Sequence, residues 1–189
     1  QGSSHADTLT GSSGNDSLNG RDGDDVIKGG VGDDSLYGGA GDDVIVEGGG
    51  YDYIGGGDGA DTFVFTSKDG STRNTKNTDG YHGDQIEDFT SGVDKIVFQG
   101  MEGISYSGRT YPIPEELDPA YQDPWNAAPY IDQDPTVENE IVFMVHDGNG
   151  HLYVKGSGSG TDFNQMHVVL YNVQTAPSAA DIGFVYDTS

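Results

Sequence analysis

An aliphatic or aromatic residue recurs every nine positions along the first third of the chain, at Leu9, Leu18, Ile27, Leu36, Ile45, Ile54 and Phe63. The residues flanking each are mixed in character: Ser17 and Asn19, Val26 and Lys28, Ser35 and Tyr37. Alternate side chains of a strand face opposite ways, so the pattern predicts short strands whose central side chain points inward while its neighbours face solvent. The mixture lacks the regular threonine array of an ice-binding face. Between strands lie six glycine-rich polar residues. They predict a turn in which the backbone takes φ > 0 or brings its carbonyls close to an ion.

Glycine and aspartate keep the same period. Glycine falls at Gly14, Gly23, Gly32, Gly41, Gly50 and Gly59, and aspartate at Asp7, Asp16, Asp25, Asp34, Asp43, Asp52 and Asp61. The clearest units run Gly29-Gly30-Val31-Gly32-Asp33-Asp34-Ser35-Leu36-Tyr37 and Gly38-Gly39-Ala40-Gly41-Asp42-Asp43-Val44-Ile45-Val46. Through these residues the chain resembles the RTX, or haemolysin-type, family of calcium-binding nonapeptide repeats, whose pattern is G-G-x-G-x-D-x-U-x. The resemblance implies an all-β fold, a parallel β-roll (a right-handed calcium-binding solenoid) continued into a β-sandwich-like C-terminal cap.

The energetics of the repeat ask for a metal independently. Ordering each backbone residue costs about 1–2 kcal/mol, whereas burying one aliphatic side chain returns only about 1.5–3 kcal/mol, so apolar burial alone cannot fold a nonad. Two aspartates about 4 Å apart near a surface repel by about 4 kcal/mol. A divalent ion reverses that sign, and hard oxygen ligands select calcium over zinc or copper. Metal binding and folding then become one event. A disordered linker has no reason to hold three residue types in phase, and no stretch supplies the acidic loop with terminal glutamate of an EF-hand.

In the family two nonads make one coil, so stacked turns lie eighteen residues apart. The resemblance therefore implies shared ions between Asp7 and Asp25, Asp16 and Asp34, Asp25 and Asp43, Asp34 and Asp52, and Asp43 and Asp61. It adds backbone carbonyls from the second and fourth positions of one turn and the first and third of the next. For Asp34 and Asp52 these are Gly30, Gly32, Glu47 and Gly49; for Asp43 and Asp61 they are Gly39, Gly41, Gly56 and Asp58. The same turns bring Ser12, Gly14, Arg21, Gly23, Gly29, Val31, Gly38, Ala40, Gly48, Gly50, Gly57 and Gly59 to the ions, with Asp84 as the acidic residue of the continuation. About four to six calcium ions are implied. The first turn departs from the pattern, with His5 in a glycine position after Ser3 and Ser4; Ser12 and Arg21 also replace glycines.

After the nonads, Asp61-Thr62-Phe63-Val64-Phe65, Asp84-Gln85-Ile86-Glu87-Asp88-Phe89 and Asp94-Lys95-Ile96-Val97-Phe98 read as strands that continue the roll across an insertion. Further strands are expected at 141–146, 151–155, 166–173 and 184–185, with Asp147-Gly148-Asn149-Gly150 as a tight hairpin turn. The arrangement is similar to the C-terminal domain of serralysin-type metalloproteases and to the R-modules of mannuronan C-5 epimerases. That likeness makes 156–163 a loop near the family's end and 181–185 an acidic-then-apolar element of a secretion signal. The division is 1–65 as repeat roll and 66–189 as continuation and cap. Within the cap, 101–140 stands apart: six of the seven prolines lie there, with Tyr106, Tyr111, Tyr121, Trp125 and Tyr130. These aromatics are read either as an irregular cover closing the roll or as a surface for polysaccharide, alginate or peptide.

Composition narrows the function classes. Thirty-two acidic against eight basic residues give a net charge of −24 over 189 residues, which excludes a basic surface for nucleic acid or anionic membrane. There is no cysteine to form a disulfide or a thiolate ligand, so any metal sits on oxygen. No run is long enough to span a membrane, and the N-terminus lacks the pattern of a cleaved signal peptide. The opening on Gln1 and the sequence Gly2-Ser3-Ser4-His5 suggest a fragment of something longer. Neither H-E-x-x-H nor G-x-S-x-G occurs, and of five scattered histidines only His146 and His151 approach each other across the expected hairpin. The expectation is a non-catalytic module, secreted through the type I machinery and folded by calcium outside the cell.

Overall fold

The computed structural model describes residues 1–66, 83–101, 103–110, 140–146, 148–155 and 167–185. Among these the chain is all-β. The repeat region supplies β1 (Thr8–Thr10), β2 (Ser17–Asp22), β3 (Val26–Val31), β4 (Ser35–Ala40), β5 (Val44–Gly49), β6 (Tyr53–Asp58) and β7 (Thr62–Thr66). Then follow β8 (Asp84–Ile86), β9 (Lys95–Gln99), β10 (Ser105–Thr110), β11 (Glu140–His146), β12 (Asn149–Lys155), β13 (His167–Leu170) and β14 (Ile182–Val185).

The chain winds between two sheets. One has the order β1-β3-β5-β7-β9-β14, the other β10-β11-β12-β13-β8-β6-β4-β2. Pairing through the nonads is parallel, with a stride of eighteen residues, as in Leu18↔Leu36 and Ile27↔Ile45. A parallel in-register stack places like side chains on like, and this produces the core. Leu9, Ile27, Ile45, Phe63, Ile96 and Ile182 form one inward ladder; Leu18, Leu36, Ile54, Ile86 and Leu170 form the other. Ile27, Leu36, Ile45, Phe63, Ile86 and Ile96 are completely buried. A third ladder, Phe65–Phe98–Phe184, stacks at centroid distances of 5.8 and 6.1 Å.

Most nonad strands are six residues long, not the three that alternation alone suggests. The ladder runs on into the turn, pairing Gly39 with Gly57 and Ala40 with Asp58, because the turn backbones stack as closely as the strands. Glycine makes this stacking feasible. The second and fourth turn positions take positive φ, for example Gly39 at 126° and Gly41 at 135°. Arg21 occupies a second position at φ 87° and keeps the turn geometry without glycine, whereas Ser3 and Ser12 at second positions do not take positive φ.

Strands after residue 66 join the same two sheets. β8 and β9 extend β6 and β7, and β13 and β14 extend β8 and β9 in turn. β11 and β12 form the expected hairpin, His146 pairing with Asn149. Strand β10 was not anticipated; it pairs in parallel with β11. Tyr106 on β10 packs against the core and donates its hydroxyl to the Pro177 carbonyl, in keeping with a closing cover at this point. Tyr111, Tyr121, Trp125, Tyr130 and the loop expected at 156–163 lie outside the described residues.

Candidate metal centres

The repeat aspartates form two files along the roll. Every file member from Asp25 onward accepts, through Oδ1, the backbone N–H of the aspartate one coil earlier. In one file Asp25 accepts from Asp7 at 2.7 Å, Asp43 from Asp25 at 2.7 Å, Asp61 from Asp43 at 2.9 Å and Asp94 from Asp61 at 3.0 Å. In the other, Asp34 accepts from Asp16 at 2.8 Å, Asp52 from Asp34 at 2.8 Å and Asp84 from Asp52 at 3.0 Å. The pairs expected from the sequence are thus adjacent. Asp84 takes the place proposed for it, and Asp94, absent from the expected ligands, extends the opposite file.

The second oxygen of these groups is the informative one. Oδ2 of Asp25, Asp34, Asp43, Asp52 and Asp84 is buried without a hydrogen-bond partner. Buried polar atoms are seldom left unpaired, and a carboxylate without a counter-charge is costlier still. At Asp25, Asp34 and Asp43 the open oxygen lies beside a carbonyl of the next coil. A Cβ on Gly38 would lie 2.2 Å from Asp43 Oδ2 and 2.5 Å from the Gly56 carbonyl; one on Gly29 would lie 2.6 Å from Asp34 Oδ2 and 2.2 Å from the Glu47 carbonyl. Carbonyls of the second and fourth positions look the same way: a Cβ on Gly48 would sit 2.0 Å from Gly30 O, and one on Gly50 would sit 2.2 Å from Gly32 O. Third-position carbonyls point back, Gly49 O accepting from Gly32 N at 2.6 Å and Asp58 O from Gly41 N at 2.8 Å. The gaps beside Gly20, Gly29 and Gly38 therefore offer carboxylate and carbonyl oxygens in a space only glycine leaves open. That all-oxygen donor set fits calcium.

The first turns differ. Asp7 Oδ2 accepts from Ser3 N at 2.5 Å, and Asp16 Oδ2 from Ser12 N at 2.7 Å, so serine at the second position caps the oxygen left open elsewhere. At the far end Asp94 Oδ2 is capped by Thr90 N, and the Asp181 carboxylate takes bonds from Ser91, Gly92 and Ser178.

Burial dominates the electrostatics along the inner files. Burial, with neighbouring carboxylates adding to it, raises the carboxyls of Asp34, Asp43 and Asp94, lifts Asp61 to about 6 and Asp52 to about 7, and pushes Asp84 well above the carboxylate range. The Ser3 N–H holds Asp7 low. Burial works to raise Asp181, but its Ser91, Ser178 and Gly92 donors outweigh that and hold it low.

Two features escaped sequence reasoning. The fifth turn position carries an outer file: Asp24 Oδ1 accepts from Asp42 N, Asp42 Oδ1 from Ala60 N, Asn15 Oδ1 from Asp33 N and Asp33 Oδ1 from Tyr51 N. The recurrence of Asp or Asn before the repeat aspartate was its signal. The expected histidine pairing also needs correction. The hairpin register sets His151 against Met144, and its Nδ1 lies 3.0 Å from Nε2 of His167, whose strand is its neighbour on the other side.

Comparison with known proteins agrees with this architecture. The family of RTX calcium-binding nonapeptide repeats matches in four copies over residues 1–36, 20–54 and 37–65. The solution structure of the AlgE6R3 subunit of the Azotobacter vinelandii mannuronan C5-epimerase is 28% identical, with a TM-score of 0.54 over 91% of this chain and 79% of that one. The AlgE6R2 subunit of the same enzyme is 25% identical, with a TM-score of 0.60 over 96% of this chain and 94% of that one. No curated protein sequence matches. Residues 1–65 thus carry RTX calcium-binding nonapeptide repeats, and the fold around them is similar to that of the epimerase R-subunits.

Proposed function

We propose that the chain is a non-catalytic module that folds on calcium after export, supporting type I secretion and stabilising a larger secreted enzyme or adhesin. Residues 1–65 act as the repeat roll and 66–189 as its continuation and cap. The observation that carries this reading is the row of buried Asp Oδ2 atoms without hydrogen-bond partners, with a backbone carbonyl of the neighbouring coil close by at Asp25, Asp34 and Asp43. Asp25, Asp34, Asp43, Asp52, Asp61 and Asp84 would hold the ions with the turn carbonyls. The gaps after Asp7 and Asp16 are weaker sites, because serine N–H groups already occupy those carboxylates. At low cytosolic calcium the uncompensated acidic files keep the chain unfolded and threadable; outside, millimolar calcium folds it.

Circular dichroism against calcium, with magnesium as control, tests the reading. Cooperative gain of β-structure at about 10⁻⁴–10⁻³ M calcium is expected; equal β-content in chelator and in calcium would refute it. The likeness to epimerase R-subunits supports a second reading, in which the module also contacts a polysaccharide such as alginate through 101–140. Substituting Tyr121 and Trp125 in a glycan-binding assay separates the two.

A further inference from the structure

The turn 47–52 breaks the pattern of its neighbours in two respects. Its first position, glycine in the turns that begin at Gly11, Gly20, Gly29, Gly38 and Gly56, is Glu47. Side chains at this position are directed into the gap between coils, as the Cβ positions at Gly29 and Gly38 establish. Glu47 therefore sends a carboxylate where the other turns leave room for an ion. The residue is completely buried.

The stride also changes here. β3 and β5 stay paired into the turn, through Gly30↔Gly48 and Val31↔Gly49, but β5 and β7 part after Val46↔Val64. Among the described residues no turn stacks on 47–52 at the eighteen-residue step, and the next acidic group of the file is Asp84, 32 residues beyond Asp52. Carboxylate oxygens of Glu47, Asp52 and Asp84 lie within 4.8 Å of one another, and all three residues are buried. Asp52 Oδ2 and Asp84 Oδ2 have no hydrogen-bond partner, and those residues are 2% and 0% exposed. Glu47 Oε1 accepts from Thr66 N at 3.1 Å.

We propose that Glu47, Asp52 and Asp84 bind one calcium ion through their side chains, in a three-carboxylate site distinct from the two-carboxylate sites of the nonads, and that this site fills first. The proposal rests on the calcium reading above. Its order of filling follows from ligand charge: calcium affinity rises with the number of anionic oxygens, and here three converge where each nonad gap has two. The site also has a topological consequence. Segment 67–82 leaves from Thr66, bonded to Glu47, and returns at Asp84. An ion held by Glu47 and Asp84 clamps both ends of that excursion and spares the roll its closure entropy.

Calcium titration calorimetry on the whole chain, with terbium luminescence in parallel, tests this on wild type, Glu47→Gln, Glu47→Gly and, from the opposite file, Asp43→Asn. Folding in saturating calcium is checked by circular dichroism. Wild type should show one ion tighter than the rest. Glu47→Gln and Glu47→Gly should weaken that ion by at least about tenfold and leave the others in place, while Asp43→Asn should spare the tight ion and weaken the others. An unchanged tight class in both Glu47 variants overturns the proposal. So does an extra ion in Glu47→Gly, which would make Glu47 a plug and not a ligand. Absence of calcium binding in every protein, wild type included, would overturn the calcium reading as well.

Discussion

Asp43 sits at the centre of one file and tests the linkage between metal and fold. Its Oδ1 accepts the Asp25 N–H at 2.7 Å, its own N–H goes to Asp61 at 2.9 Å, and its Oδ2 is buried and open. It therefore belongs to two gaps. At about 10 mM calcium, a site with a dissociation constant of about 10⁻⁴–10⁻³ M contributes about 1.4–2.7 kcal/mol to the folded state. Asp43→Asn keeps an acceptor for Asp25 N–H but removes the charge from both gaps, an expected loss of about 3–5 kcal/mol. Asp43→Ala also strands that buried N–H, adding about 1–3 kcal/mol. Against the 5–15 kcal/mol typical of a domain, the alanine variant should be largely unfolded at calcium concentrations that fully fold wild type. The assay is urea unfolding followed by circular dichroism at fixed calcium, with exposed Asp22→Asn as the control of equal charge change. If Asp43→Asn unfolds at the same urea and the same calcium midpoint as wild type, the carboxylate is not a ligand and the reasoning fails.

Further outcomes follow from other features. Gly39→Ala, at φ 126° and with its Cβ 1.8 Å from the Arg21 carbonyl, should cost more than about 3 kcal/mol in calcium melts. Gly38→Ala should act differently, filling the gap beside Asp43 Oδ2 and removing one ion from the calorimetric count. Leu36→Ala, in the centre of its buried ladder, should cost about 2–5 kcal/mol at saturating calcium, read from the urea midpoint. The raised carboxyls predict opposite pH effects with and without metal. Between the ordinary carboxylate value of 3.8 and the folded values of about 7 for Asp52 and about 6 for Asp61, the folded chain holds protons that the unfolded chain has released. Calcium-free stability is therefore present at low pH and lost as pH rises through 6 to 7, while calcium binding strengthens over the same rise because it must displace those protons. Circular dichroism in chelator at pH 5 and pH 8 checks the first; calorimetry in buffers of different ionisation enthalpy checks the second.

The repeat was legible because each residue of a nonad answers to one local constraint. Leu36 must be apolar to face inward, Gly39 and Gly41 must take positive φ, and Asp43 must reach the coil beside it. A fixed period lets these constraints be read without knowing any contact. The continuation was legible where it kept the same signature, as in the Asp-x-Ile of Asp84 and Asp94, and at β11 to β14 through short apolar runs and the Asp147-Gly148-Asn149-Gly150 turn. Strand β10 has no such signature: Ser105–Thr110 owes its strand to pairing with β11, a partner more than thirty residues away. Glu47 was named in the sequence for its carbonyl alone, since nothing there reveals that its side chain is buried beside those of Asp52 and Asp84. His167 was overlooked as partner to His151 because their adjacency depends on a strand order, β12 beside β13 beside β8, that local pattern does not encode.

The aspartate files have a direction. In every rung the carboxylate lies on the later residue and the N–H on the earlier one, from Asp25 and Asp7 to Asp94 and Asp61. The outer file and the backbone ladder run the other way, with the Asp42 N–H reaching back to Asp24 and the Val44 N–H to the Asp25 carbonyl, so only the repeat-aspartate N–H of each coil waits on the coil that follows. A chain emerging from the ribosome offers the donors of the two inner files before their acceptors exist, so these files close later than the backbone ladder beside them. Once the chain is whole, closure of the inner files should propagate backward from the C-terminal strands. Pulsed hydrogen exchange after calcium addition would register this as protection of the Asp61 amide before that of Asp7, and the reverse order would show that the ladder's chemical polarity does not govern its assembly.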